Sequence, residues 1–155
     1  MRATADLLLL LSVAALGVFA GAMLTEGGVL VPYWRSLSPA DFFAWYGAND
    51  RRLLGFFGPL TAVAALLAIA AALGSLAAGR PGRWLAVVAA LLMVGATATF
   101  FLYFERANAS FSTASIPPAE LPAELTRWAR WHWARMAMAV AALAAGLGAL
   151  RSATR

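Results

Sequence analysis

Four apolar stretches, each long enough to cross a bilayer, occupy most of this chain and leave it little choice of architecture. They run over about 7–32, 55–78, 83–104 and 126–150. Roughly 20 residues of helix cross a ~30 Å hydrocarbon layer. The second and fourth contain "AALGSLAAG" and "AALAAGLGAL", small residues that let helix backbones approach closely. The third, "WLAVVAALLMVGATATFFLYF", closes in aromatics suited to the membrane interface. Composition agrees: 63% of residues are hydrophobic and only 12% are Asp, Glu, Lys or Arg. Soluble domains are about a quarter charged, and one of this size has no interior for so much apolar surface. The expected fold is all-α: an integral membrane four-helix bundle, one domain over residues 1–155, with a short interfacial helix between spans one and two. The opening "MRATADLLLLL" mimics a signal peptide. Its apolar run continues to about residue 32 with no small-residue cleavage site before a polar stretch, so it reads as a retained first span.

The net charge is +5 and every basic residue is Arg. No basic stripe with interleaved aromatics lies outside the spans, so nucleic acid is not the expected partner. Anionic lipid headgroups account for the arginines. The absence of cysteine removes disulfides, iron–sulfur clusters, thiolate metal sites and cysteine nucleophiles together. "GRPGR" lacks the spacing and the Lys of a phosphate-binding loop, and HExxH and CxxC are missing. One histidine does not build an ordinary zinc site. Haem ligation through His132 alone has no other support in the chain. No cofactor and no metal are therefore expected.

The joints between spans differ in kind. "GRPGR" at 79–83 is a tight turn. The first joint contains "LSPADFFAWYGANDRRLLGFFGP", with Ser38 as helix N-cap, Pro39 at the first helical position and Asp41 at the third. Its aromatics Phe42, Phe43, Trp45 and Tyr46 suit a membrane-surface helix running on toward span two, with Pro59 in that span's first turns. The third joint, 105–123, reads as a loop, after which Pro122 and Glu124 start span four. An even number of spans puts both termini on the side of the short joint. Arginines 2, 80, 83, 151 and 155 lie there, five against four at the other end once Arg127, Arg130 and Arg135 on span four are set aside. The positive-inside rule then places the termini in the cytoplasm, as for a multi-pass protein of the cell's inner (plasma) membrane.

Ionised groups close to hydrocarbon are costly, so they face a protein interior or the headgroups. Glu26 lies six residues before the end of span one, about 9 Å below the boundary. Glu124, Trp128, His132 and Arg135 follow at helical spacing and share one face of span four. Span one leaves the membrane where span four enters it, so Glu26 is expected to meet His132 or Arg135 across a shared pocket. Tyr33, Tyr103 and Asn108 approach from the same side, and Thr97 and Thr99 lie deeper, where threonines commonly bond their own backbone.

Each of these residues also has a purely structural role open to it. Arg127 and Arg130 suit interface anchors whose stems snorkel. Arg135 and Glu26 suit a buried ion pair that locks helix to helix, and His132 a satisfied interfacial histidine. If the pocket is chemical, Glu26 or His132 can accept a proton. Arg135 can stabilise a developing oxyanion, while Trp128, Trp131 and Trp133 shape a flat apolar cavity. Those parts fit proton abstraction from a lipid-soluble aromatic or phenolic substrate.

The stretches "GAMLTEGGVLVPYWRSLSPADFFAWY" (21–46), "FFGPL" (56–60), "YFERANASF" (103–111) and "RWARWHWARMAMA" (127–139) resemble the DUF1772, or anthrone oxygenase-like, family of small four-span membrane proteins. The resemblance extends over roughly 10–150. It implies, for a subset of that family, cofactor-independent oxygenation of anthrones to anthraquinones by substrate deprotonation and reaction of the carbanion with dioxygen. It singles out Glu26 beside "TEG", Asn108 in "RAN", Trp131 and His132 in "RWHW", and Arg135; other members commonly carry a different residue, such as Asn, where His132 stands. Three functions stay open: such an enzyme, with His132, Glu26 and Arg135 catalytic and Trp128, Trp131, Asn108, Tyr33 and Tyr103 around the substrate; a non-catalytic binder of a lipid, quinone or small hydrophobic molecule; and a structural membrane subunit.

Overall fold

A computed structural model describes residues 2–153; Arg155, counted above among the cytoplasmic arginines, lies outside them. Among these residues every regular element is helical. Helix α1 (Arg2–Thr25) passes through a π-helical turn (Glu26–Leu30) into α2 (Val31–Ser36). Helix α3 spans Pro39–Ala77. Helix α4 (Arg83–Thr99) passes through a second π-helical turn (Phe100–Phe104) into α5 (Glu105–Ser112), and α6 spans Leu121–Ala153. Four continuous helical segments, Arg2–Ser36, Pro39–Ala77, Arg83–Ser112 and Leu121–Ser152, are each long and apolar enough to cross a membrane. The expected all-α four-helix bundle is observed, with α2 as the short helix between the first two long ones.

In sequence order each long helix packs on the next, and α6 closes the ring against α1. Small side chains fill the middle: Ala64, Ala68, Ala71, Ala86, Ala89, Ala96, Ala139 and Ala142 are buried, with Leu9, Leu16, Phe19, Met23 and Met93 as the bulky exceptions. Large apolar residues face outward instead, Leu66 at 67% exposure and Leu102 at 73%. That inversion suits a lipid solvent, where the packing surface favours small residues.

The turns follow the local chemistry. Ser38 Oγ accepts the Asp41 N–H at 3.2 Å, the expected N-cap. At the other end, Gly79 N–H donates to Leu76 O and Arg80 N–H to Ser75 O, a Schellman closure that needs the left-handed φ of +60° at Gly79. Gly82 (φ +76°) is doubly required, since a Cβ there would lie 2.8 Å from Ser152 Cβ. Arg80 pairs with Asp6, which ties the short turn to the start of α1.

One joint is as expected and one differs. Residues 39–54 are the opening turns of α3, which runs on into the second span with Pro59 inside it. The freed backbone acceptor of an interior proline is tolerated in membrane helices. The joint at 105–123 is helical through Ser112, because "ERANASFS" puts Ala107 and Phe111 on one inward face. These extra turns form an aromatic cap at that end: Val31, Trp34, Phe42, Tyr46, Phe104, Phe111 and Trp128 pack as one cluster.

Candidate functional site

The site begins with a break in helical register. Gly27 and Gly28 hold α-helical geometry weakly, and Val31 N–H bonds Glu26 O five residues back. Such turns widen a helix locally. His132 meets the helix just before the turn: its Nε2 lies 2.8 Å from Met23 O. The ring comes this close because Gly27 has no side chain; a Cβ would sit 3.0 Å from His132 Nε2.

Donor–acceptor logic then orders the cluster. A carbonyl only accepts, so His132 Nε2 carries a proton. His132 Nδ1 lies 3.1 Å from Arg135 Nη2, and a guanidinium only donates, so Nδ1 presents its lone pair. The imidazole is therefore the neutral Nε2–H tautomer. The same Nη2 donates to Glu26 Oε2 at 3.0 Å, and Oε2 stands 3.4 Å from His132 Nδ1. One guanidinium nitrogen thus serves two acceptors that would otherwise face each other. The Arg135 guanidinium also lies over the Phe104 ring at 4.2 Å, and Trp128 stacks on His132 at 5.1 Å with the planes 10° apart. Trp128 Nε1 donates to Asn108 Oδ1 at 2.9 Å. All three charged or titratable members are buried: Glu26, His132 and Arg135.

Glu26 and Arg135 are nonetheless on the wall of a cavity of about 500 Å³, which lies between α3 and the α4–π–α5 helix. Tyr46, Asn108 and Trp128 line it beside the pair; Phe57, Ala62, Ala96 and Phe100 line its other end. A second crevice, of about 390 Å³, lies on the opposite side of α3 against the end of α1, and Glu26, Leu53 and Phe57 contribute to both. Among the described residues, no group hydrogen-bonds Glu26 Oε1, the Tyr46 hydroxyl or Asn108 Nδ2. These are one acceptor and two donors beside a cavity.

Of the residues expected in one pocket, the structure gathers Glu26, Arg135, Trp128 and Asn108. His132 touches them but stands behind the wall, fully buried, with both ring nitrogens engaged. That engagement also opposes metal or haem ligation through it. Trp131 stacks instead on Tyr103 (5.3 Å, 7°), whose hydroxyl donates to Glu124 Oε1 at 2.6 Å. Tyr33 is exposed and edges onto Trp45. Trp131 adjoins His132 in sequence and so turns about 100° off the inward face. Thr97 reaches the cavity, but its hydroxyl bonds Met93 O and Thr99 bonds Ala96 O, as threonines in apolar helices do. Tyr46 is the residue that sequence reasoning missed, grouped there with surface aromatics. Its signal was the four-residue spacing to Phe42, which puts both on the buried side of α3.

Comparisons with protein-family models, curated proteins and solved structures find nothing that matches this chain.

Proposed function

We propose that the cavity takes up a small hydrophobic molecule from the bilayer and that Glu26 removes a proton from it. The supporting observation is a carboxylate with one free oxygen, fixed by a guanidinium, on the wall of a cavity of about 500 Å³. That volume is in the range of small-molecule sites. Glu26 Oε1 is the acceptor. Arg135, already oriented, stabilises negative charge left on the substrate. His132 has no lone pair to spare in this arrangement and acts as a positioning residue for Arg135 and the π-helical turn. The base thereby moves from His132 to Glu26 in this reading.

The resemblance to anthrone oxygenase-like DUF1772 proteins suggests the following step. A deprotonated anthrone would react with dioxygen without a cofactor, giving anthraquinone and water. The surroundings are those of a multi-pass inner-membrane protein with cytoplasmic termini and lipid along its sides. A non-catalytic binding role is the second reading. It is favoured by the Tyr46 hydroxyl and Asn108 Nδ2, which recognise an acceptor without any chemistry.

The test uses purified protein in nanodiscs with an anthrone, following dioxygen uptake and quinone absorbance. Glu26→Gln should lower turnover by about 10²–10⁴-fold while leaving ligand binding within about threefold. Saturable binding with no turnover in the wild type selects the binding role. Neither binding nor turnover across phenolic and quinol ligands selects a structural subunit.

A further inference from the structure

We infer that the occupant is an amphiphile, its polar head at the capped end of the cavity and its apolar tail pointing toward the bilayer centre. This rests on the reading of the cavity as a ligand site and adds the substrate class and its orientation.

The wall changes character along its length. At the capped end it carries Tyr46 and Asn108, and next to them Asp50, Arg51 and Glu105. At the far end it carries Ala62, Ala96 and Phe100, and the two threonine hydroxyls there are turned away: Thr61 bonds Phe57 O at 2.7 Å and Thr97 bonds Met93 O at 2.9 Å. That end offers only methyl groups and rings. Glu26 and Arg135 stand between the two regimes, level with Phe104.

The cavity follows α3 from Tyr46 to Ala62, about 24 Å at 1.5 Å per residue, long enough to take a polar head and an extended apolar part end to end. The rim is no anion cradle, because Arg51 stands there with two carboxylates, Asp50 and Glu105. Tyr46 and Asn108 Nδ2 donate to a head oxygen, and Glu26 Oε1 accepts the head's O–H. Access is lateral. Leu54 at 59% exposure and Phe101 at 68% flank the opening, so a tail slides in from lipid without crossing water.

Ala62 then limits tail length. A Phe there fills the far end but points from an exposed position, so the bundle tolerates it. Alkylhydroquinones with butyl, octyl and dodecyl tails are titrated against the wild type and Ala62→Phe in nanodiscs, with occupancy read by native mass spectrometry. A tail kept out of the far end stays in lipid, so the loss is of fit inside the cavity and not of burial from water. Forcing a long tail against the Phe is overpacking, so the dodecyl compound should bind the variant at least about fivefold more weakly than the wild type, and the butyl compound within about twofold. Val63→Phe, exposed and off the cavity wall, should leave all three unchanged. An equal fall for every tail, or no fall for dodecyl, overturns the orientation while leaving a ligand site in place. Failure of all three to bind folded wild type overturns the ligand reading itself.

Discussion

Arg135 makes two of the cluster's contacts with a single nitrogen, Nη2, to Glu26 Oε2 at 3.0 Å and to His132 Nδ1 at 3.1 Å. Removing a carboxylate from such a pair leaves a buried cation with an uncharged partner only. Glu26→Leu should therefore destabilise the bundle by about 3 kcal/mol. Glu26→Leu combined with Arg135→Leu removes both charges and should cost less than the sum of the single changes, by about 1 kcal/mol or more. Unfolding of the four variants in mixed detergent measures this directly, and strict additivity would strip the ion pair of its organising role. A cationic residue near Glu26 was legible from the common depth of residues 26, 132 and 135. The division of labour was not, because it depends on His132 meeting Met23 O and Arg135 meeting Glu26, each 109 residues apart in the chain.

At the scale of elements, the telling features are the two π-helical turns, Glu26–Leu30 and Phe100–Phe104, one in each of two helices that meet the cluster. Such turns gather at functional sites because they redirect side chains and free backbone groups. The first depends on one glycine more than the other. A Cβ at Gly27 would crowd His132 at 3.0 and 3.1 Å and Trp133 at 3.6 Å, whereas at Gly28 it meets nothing within 4 Å. His132 cannot give way easily, being held between Trp128 and Met23 O. Gly27→Ala should therefore lower stability by about 1–2 kcal/mol through overpacking, despite alanine's better helix propensity. Gly28→Ala should be neutral or raise stability by up to about 1 kcal/mol. Thermal melts of the two variants check this, and equal shifts would remove His132 as the wedge that holds the π-helical turn.

Across the whole molecule, the two ends of the bundle carry different equipment. The Arg80–Asp6 pair and the approach of Gly82 to Ser152 gather the short turn, the start of α1 and the end of α6 at one end. The aromatic cap, the cluster and the polar end of the cavity lie at the other. Set across a membrane, Ser38 and Ser115 must share one side and Ser152 the other. Because the chain has no cysteine, single substitutions Ser38→Cys, Ser115→Cys and Ser152→Cys report this with an impermeant thiol reagent. The first two should label from the same face, opposite to Ser152→Cys. Labelling of Ser38→Cys and Ser115→Cys from opposite faces would break the four-span arrangement.

The sequence by itself determined the helix class, the number of long helices, the tight turn at 79–83 and the N-cap at Ser38. All of these are local: hydrophobic length, glycine backbone freedom and side-chain capping act within a few residues of chain. Tertiary structure decided the helical residues 105–112, both π-helical turns and the choice of Trp128 over Trp131 for the cavity wall. It also decided the cavity itself. Packing was needed for each, because the helix register at Gly27 is set by a histidine from α6, and the open space between α3 and α4 belongs to neither helix alone.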